Sequence, residues 1–210
     1  DMSATVEFAN GEYCWLLSDD DPLVDNALET VKEALNSKCE IYLCNRIMCD
    51  ASLNPIKNKS WLKKMNKNIF QLSRREDLIF YLDNCIEFGA IFSYMSAIIF
   101  KNSAWKKTVY DDRFTGSGYA HVTRVFDIIN NNGKLHYIVP SLILNRSFND
   151  SFMEMGIVKR FMLDIDGYMK LADRCLPNDM TLRKKFLKVM TLEHPWYQII
   201  KLKSFVENPQ

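Results

Sequence analysis

Long apolar runs are missing from this chain. The longest candidate, Phe88 to Phe100, is broken by Ser93 and Ser96, and a membrane-spanning helix needs about 20 mostly apolar residues. Excess charge is missing too: 27 basic and 26 acidic side chains leave a net +1, which argues against a dedicated nucleic-acid binder. The start is polar and lacks a basic segment followed by an apolar one, so no secretory leader is expected. No Cys-x-x-Cys pair occurs among the cysteines at 14, 39, 44, 49, 85 and 175. The five-residue spacing of Cys39, Cys44 and Cys49 fits no usual zinc pattern. Reduced, buried thiols in a cytoplasmic protein are the expectation. Internal repeats and low-complexity segments are lacking as well.

What is present is an ordinary globular composition, 48% apolar and 25% charged over 210 residues. That is enough to bury one core. Residues 2 to 9 read as the end of a helix stopped near Gly11. Glu12 to Leu17 (EYCWLL) reads as a buried strand. Leu23 to Leu35 carries an apolar helical face, and Cys39 to Asn45 reads as the next strand. This strand–helix–strand order predicts a parallel pair joined by a right-handed crossover.

From Arg46 to Asn68 the chain is polar and lysine-rich, and an irregular loop is expected. Ser73 and Glu76 have capping-box spacing for a helix. Phe92 to Phe100 predicts a strand, Ser103 to Lys107 a short helix, and Arg113 to Gly118 a loop. Tyr119 to Asn130 predicts a helix ended by Asn132-Gly133, and Leu135 to Leu144 a strand whose Pro140 marks an edge or a bulge. Three helices are expected beyond Gly156: Ile157 to Arg174, Asp179 to Met190, and Pro195 to Val206. The picture is an α/β layer over 1–150 and a helical appendage over 151–210.

Chemistry concentrates in Asp19-Asp20-Asp21, directly after the first strand. Three adjacent carboxylates repel one another unless a positive charge joins them. Beyond the carboxyl end of a strand they occupy the usual ligand crevice of an α/β sheet. The spacing lets Asp19 and Asp21 approach one Mg²⁺ or Mn²⁺, which would also take diphosphate oxygens. Asp21-Pro22 is equally a good N-cap and first-turn pair for the following helix, and the two roles can coexist. A second acidic pair, Asp164 and Asp166, sits in a helical pattern and is expected on a solvated face.

The run Ala9-Asn10-Gly11-Glu12-Tyr13-Cys14-Trp15, continuing to Asp21, resembles the A-x-G-E-Y-x-W-x-x-x-D-D-D segment of family 2 glycosyltransferases. Matches at Ile41-Tyr42-Leu43-Cys44, Ser60-Trp61-Leu62, Phe92-Ser93-Tyr94, Gly116 to Val122 and Asn149 to Phe152 narrow it toward O-antigen abequosyltransferases. The resemblance implies part of a GT-A, Rossmann-like mixed sheet followed by a helical region. It implies an inverting transfer of sugar from a nucleotide-diphosphate donor, a CDP-dideoxyhexose if the subfamily holds, to a lipid-linked oligosaccharide. Asp19 and Asp21 would take the metal and diphosphate, and Asp20 would support the loop or touch the donor.

In that family a nucleotide-binding βαβ precedes the acidic segment, whereas this chain opens just before it. The expectation is therefore a portion of a larger enzyme. Many members carry a catalytic Glu-Asp after the acceptor loop, but Gly116-Ser117-Gly118-Tyr119 has no acid. His121 is then the candidate base, weighed evenly against a packing role, because an imidazole titrates near neutrality. Asp111 and Asp112 are weaker candidates, turn or surface roles being commoner. His136 and His194 read as structural. Basic residues from Arg183 to Lys203, interleaved with aromatics and isoleucines, leave open a peripheral contact with the inner face of a membrane. Two rivals remain: a phosphatase-like hydrolase with Asp19 as nucleophile and Asp21 as acid, and a non-catalytic binding module.

Overall fold

The computed structural model describes residues 2–147 and 151–195, together with residues 197 and 200. A short helix α1 (Met2–Glu7) leads into strand β1 (Tyr13–Trp15), and helix α2 (Ala27–Leu35) follows. Strands β2 (Ile41–Cys49), β3 (Pro55–Lys59) and β4 (Ile69–Phe70) come next, then helix α3 (Arg75–Asn84). Strand β5 (Ile98–Lys101) runs directly into the one-turn helix α4 (Asn102–Trp105). Helix α5 (Ala120–Asn130), strand β6 (Leu135–Arg146) and helices α6 (Ile157–Cys175) and α7 (Met180–Glu193) complete the described elements.

The strands form one mixed sheet in the order β1-β5-β2-β6-β4, with β3 paired to β2. The first two expected strands run in the same direction but are not neighbours. β5 lies between them, antiparallel to both. Ile98, Ile99 and Phe100 are almost completely buried, so this short strand needs cover on both faces. β1 is only half-buried and takes the edge. The parallel pair is instead β2 with β6, the two longest strands.

Pro140 marks a bulge. The register jumps from Cys44 opposite Ile138 to Asn45 opposite Ser141, and the Asn45 amide donates to the Val139 carbonyl at 2.6 Å. The loop expected after Arg46 is largely a hairpin: β2 continues to Cys49 and returns as β3 around the Asp50 side chain, which accepts from the Ser52 and Asn54 N–H groups. Lysines at 57 and 59 had hidden it, because a charged edge strand lacks an apolar period.

The strand expected from Phe92 shrinks to β5, preceded by 3₁₀ turns at Phe88–Ile91 and Met95–Ala97. The Ser73–Glu76 capping box does not form either. α3 begins at Arg75, and the acid that reaches back is Asp77, onto the Gln71 N–H. α2 begins only at Ala27, leaving Leu23 and Val24 outside it and Leu28 exposed.

The C-terminal helices pack on each other, on α3 and α5 and on the Phe88–Ile91 turn, with Tyr168, Leu171 and Phe186 fully buried. On α7 the apolar residues Leu182, Phe186 and Val189 face this core. Arg183 pairs with Asp173 and Lys185 with Asp83. The α7 stretch therefore buries one apolar face in the core and pairs two of its basic residues with acids of neighbouring helices. The helix expected over Pro195 to Val206 lies, apart from residues 195, 197 and 200, outside the described residues. No helix among the described residues is long and apolar enough to cross a membrane.

Asp164 corrects another expectation. Asp166 is exposed, but Asp164 is only 4% exposed and accepts hydrogen bonds from Tyr119, Arg160 and His194. Burial raises its pKa, yet the bonds from His194, Tyr119 and Arg160 outweigh that and hold it below the ordinary value. A buried carboxylate is tolerable where donors converge on it.

One close contact fixes the turn ahead of β5. A Cβ on Gly89 would lie 2.1 to 2.4 Å from the Trp61 ring. That ring cannot yield, since it is fully buried and its indole N–H donates to the Cys44 carbonyl at 2.6 Å. Gly89→Ala is expected to cost about 1–3 kcal/mol through overpacking. Urea denaturation checks this, and an unchanged midpoint would contradict the packing described.

Candidate active site at the acidic loop

β1, β2 and β6 run in one direction, so their carboxyl ends share one side of the sheet. The acidic loop leaves β1 there. The Trp15 indole donates to the Ser96 carbonyl at 2.7 Å, and the Leu16 N–H to the Ile98 carbonyl at 3.2 Å. The Ser18 N–H then donates to the Ser96 hydroxyl at 3.1 Å. That hydroxyl donates in turn to Asp21 Oδ2 at 2.6 Å, while Asn145 of β6 donates to Asp21 Oδ1 at 3.4 Å.

Past Asp21 the chain is stitched to β6. The Leu144 N–H donates to the Pro22 carbonyl at 2.8 Å, and the Val24 N–H to the Leu142 carbonyl at 3.0 Å. The expected capping role of Asp21 is thereby overturned: β6 claims Pro22 and Val24, and α2 starts after Asn26, whose side chain makes no cap bond. Asp21 is 6% exposed, whereas Asp19 is exposed and Asp20 half-buried.

A cation and an aromatic wall flank this loop. The Arg46 guanidinium lies 4.0 Å from the Trp61 ring and 5.1 Å from the Tyr94 ring. It also pairs with Glu87 at 3.2 Å, and Lys59 joins that carboxylate at 2.6 Å. Desolvation lowers the Arg46 pKa, opposed by Glu87, Tyr94, Glu193 and Asp21. Burial and then the Asp21 carboxylate push the Tyr94 hydroxyl well up. Among the described residues, Arg46 Nε and the Tyr94 hydroxyl are buried with no well-formed hydrogen bond. An open groove of about 450 Å³ runs along β1 to Leu17, where the acidic loop begins.

No cluster of three or more His, Cys, Asp or Glu converges as a closed metal centre among the described residues. That does not disqualify the loop, because Mg²⁺ commonly takes one or two carboxylates and completes its shell with phosphates and water. Asp21 uses two hydrogen bonds, and an ionised carboxylate has about four lone-pair sites. The donor chemistry of Asp19 and Asp21 therefore fits a hard divalent ion.

The three base candidates are placed less favourably. His121 is buried on α5, its Nε2 hydrogen-bonded to the Phe92 carbonyl at 2.8 Å, and burial depresses its pKa to about 4. This geometry encloses the ring in the core, the packing role of the two weighed above. Asp111 binds Arg113 through both oxygens, at 2.8 and 2.6 Å, and Arg174 at 3.2 Å. Its pKa is pushed down to about 2, chiefly by the Arg113 hydrogen bond, which makes it a weak base. Asp112 is exposed and opens a 3₁₀ turn.

Sequence reasoning named none of Ser96, Asn145 and Arg46 for this site. The visible signal for Ser96 was a hydroxyl interrupting an otherwise apolar run.

The His121 geometry has a pH signature. Its folded pKa lies below the ordinary 6.5, so the unfolded chain binds more protons between about pH 6.5 and 4. Stability should fall as pH drops through that window, by up to about 3 kcal/mol. His136, also depressed by burial, acts in the same direction. The measurement is thus a difference: in chemical denaturation, His121→Gln should lose less stability from pH 7 to 4.5 than the parent chain. Equal losses would contradict the burial.

The sequence matches no protein-family model. Over 196 residues, 92% of this chain, it is 34% identical to abequosyltransferase RfbV of Salmonella typhimurium, and it spans 59% of that protein's length. TarS of S. aureus superposes with a TM-score of 0.50 at 10% identity, covering 92% of this chain and 30% of TarS. TarS 1–349 in complex with UDP-GlcNAc gives 0.51 at 10% identity, covering 90% of this chain and 50% of that one. At such identity the structural likeness concerns the fold alone. The chain thus resembles an abequosyltransferase in sequence over nearly all its length, and its mixed sheet with a helical C-terminal region is of the GT-A type.

Proposed function

We propose that this chain is part of a glycosyltransferase that moves a sugar from a nucleotide-diphosphate donor to a hydroxyl of a lipid-linked oligosaccharide, in O-antigen assembly. The similarity to an abequosyltransferase supports the reaction class; a CDP-dideoxyhexose donor and inversion at the anomeric carbon complete the proposal. The observation that carries the reading is the placement of Asp21: buried at the carboxyl edge of the sheet, held by Ser96 and Asn145, and released from any capping duty.

Asp19 and Asp21 would hold Mg²⁺ or Mn²⁺ together with the donor diphosphate. When bound, the ion supplies positive charge against the negative charge that grows on the leaving diphosphate. Asp20 steadies the loop or meets the donor ribose or sugar. Arg46 adds a fixed positive charge behind the loop, stacked where water cannot freely screen it. The protein works at the cytoplasmic side, where activated sugars are available, with peripheral contact to the membrane that carries its acceptor.

Calorimetry of CDP and UDP with and without Mn²⁺ tests this reading. Binding should require Mn²⁺ and weaken at least tenfold in Asp21→Ala and in Asp19→Ala. Binding that ignores the metal, or survives both substitutions, would remove the acidic loop from the donor site.

A further inference from the structure

We infer that Ser96 is a positioning residue for the metal ligands, setting the shape of the acidic loop through a single hydroxyl; this rests on the metal-and-diphosphate reading above. Ser96 is 1% exposed and lies in the Met95–Ala97 turn just ahead of β5. Its hydroxyl has one proton, and its two partners decide where that proton goes. The Ser18 N–H can only donate, so the oxygen accepts from it at 3.1 Å, and the proton points to Asp21 Oδ2 at 2.6 Å.

Both ends of the segment from Ser18 to Asp21 are therefore tied to one oxygen atom. The Asp21 N–H closes the same ring on the Ser18 carbonyl at 3.3 Å. Asp19 and Asp20 are the two residues held inside it. Asn145 engages the other Asp21 oxygen, so the carboxylate is held at both oxygens before any ligand arrives. Bonds to the charged form of a carboxylate fix its orientation while leaving lone pairs for a cation. The Ser96 carbonyl also accepts from the Trp15 indole. The serine thus joins the end of β1, the acidic loop and the start of β5.

Manganese itself, in the presence of CDP, is the probe, read by electron paramagnetic resonance of the free ion. Ser96→Ala should weaken Mn²⁺ binding about 10- to 100-fold, the usual effect of removing a partner that orients a ligand. Ser96→Thr, which keeps a hydroxyl, should recover most of it. Melting curves run alongside, because a purely structural serine would lower the melting temperature and leave the Mn²⁺ affinity of the folded protein unchanged. That second result overturns the inference. Should Ser96→Ala not fold, Asn145→Ala tests the same tether from β6; a several-fold loss supports it and an unchanged affinity overturns it. If the parent chain itself binds no Mn²⁺ with CDP, the metal reading fails and this inference falls with it, an outcome distinct from loss in Ser96→Ala alone.

Discussion

An antiparallel strand wedged between two parallel ones is the constraint on which the rest of this structure depends. β1 has three residues and cannot hold itself in place; every one of them pairs with β5. The loop that follows takes its bonds from the same source, through the Ile98 carbonyl and both polar ends of Ser96. Each such bond contributes only about 1 kcal/mol net, but they act together on one short segment. β5 is anchored in turn by Phe100, stacked on Trp105 with ring centroids 4.1 Å apart. The packing that stabilises the sheet therefore also sets the place of three carboxylates.

Electrostatics explain why such a loop can exist. Three adjacent acids with one of them buried form an unfavourable arrangement in an apolar setting. Two hydrogen-bond donors reach Asp21, and Arg46 lies near enough for its charge to be felt there. Arg46 is itself held by aromatic faces and by Glu87, which Lys59 shares. The result is a chain of alternating charge from the β3 hairpin to the acidic loop. It offsets part of the negative charge of the loop, whose backbone is tied down by Ser96 and β6.

The α/β layer with helices after it was legible in the sequence, as were α5, α6, α7 and the bulge at Pro140, because apolar periodicity and turn residues are local signals. The insertion of β5 between β1 and β2 was not, since pairing between strands so far apart in the chain leaves no local trace. The β3 hairpin was masked by its lysines. Within the site, the aspartates stood out by type and spacing alone. Asp21 looked like a helix cap because the competing claim of β6 on Pro22 and Val24 is invisible without the fold. His121 and Asp164 show the same limit from opposite sides. A histidine of ordinary appearance is sealed in the core, and an aspartate that looked solvated is buried among three donors. Both outcomes depend on what other elements bring to the residue.

The proposed site brings Asp19 and Asp21 together at one divalent ion with a nucleoside diphosphate. Anomalous diffraction from crystals grown with Mn²⁺ and CDP addresses it most directly. The expected result is one strong manganese peak in contact with Asp21, with Asp19 drawn to it and the diphosphate completing the shell. A peak elsewhere, or diphosphate density away from the acidic loop, would contradict it.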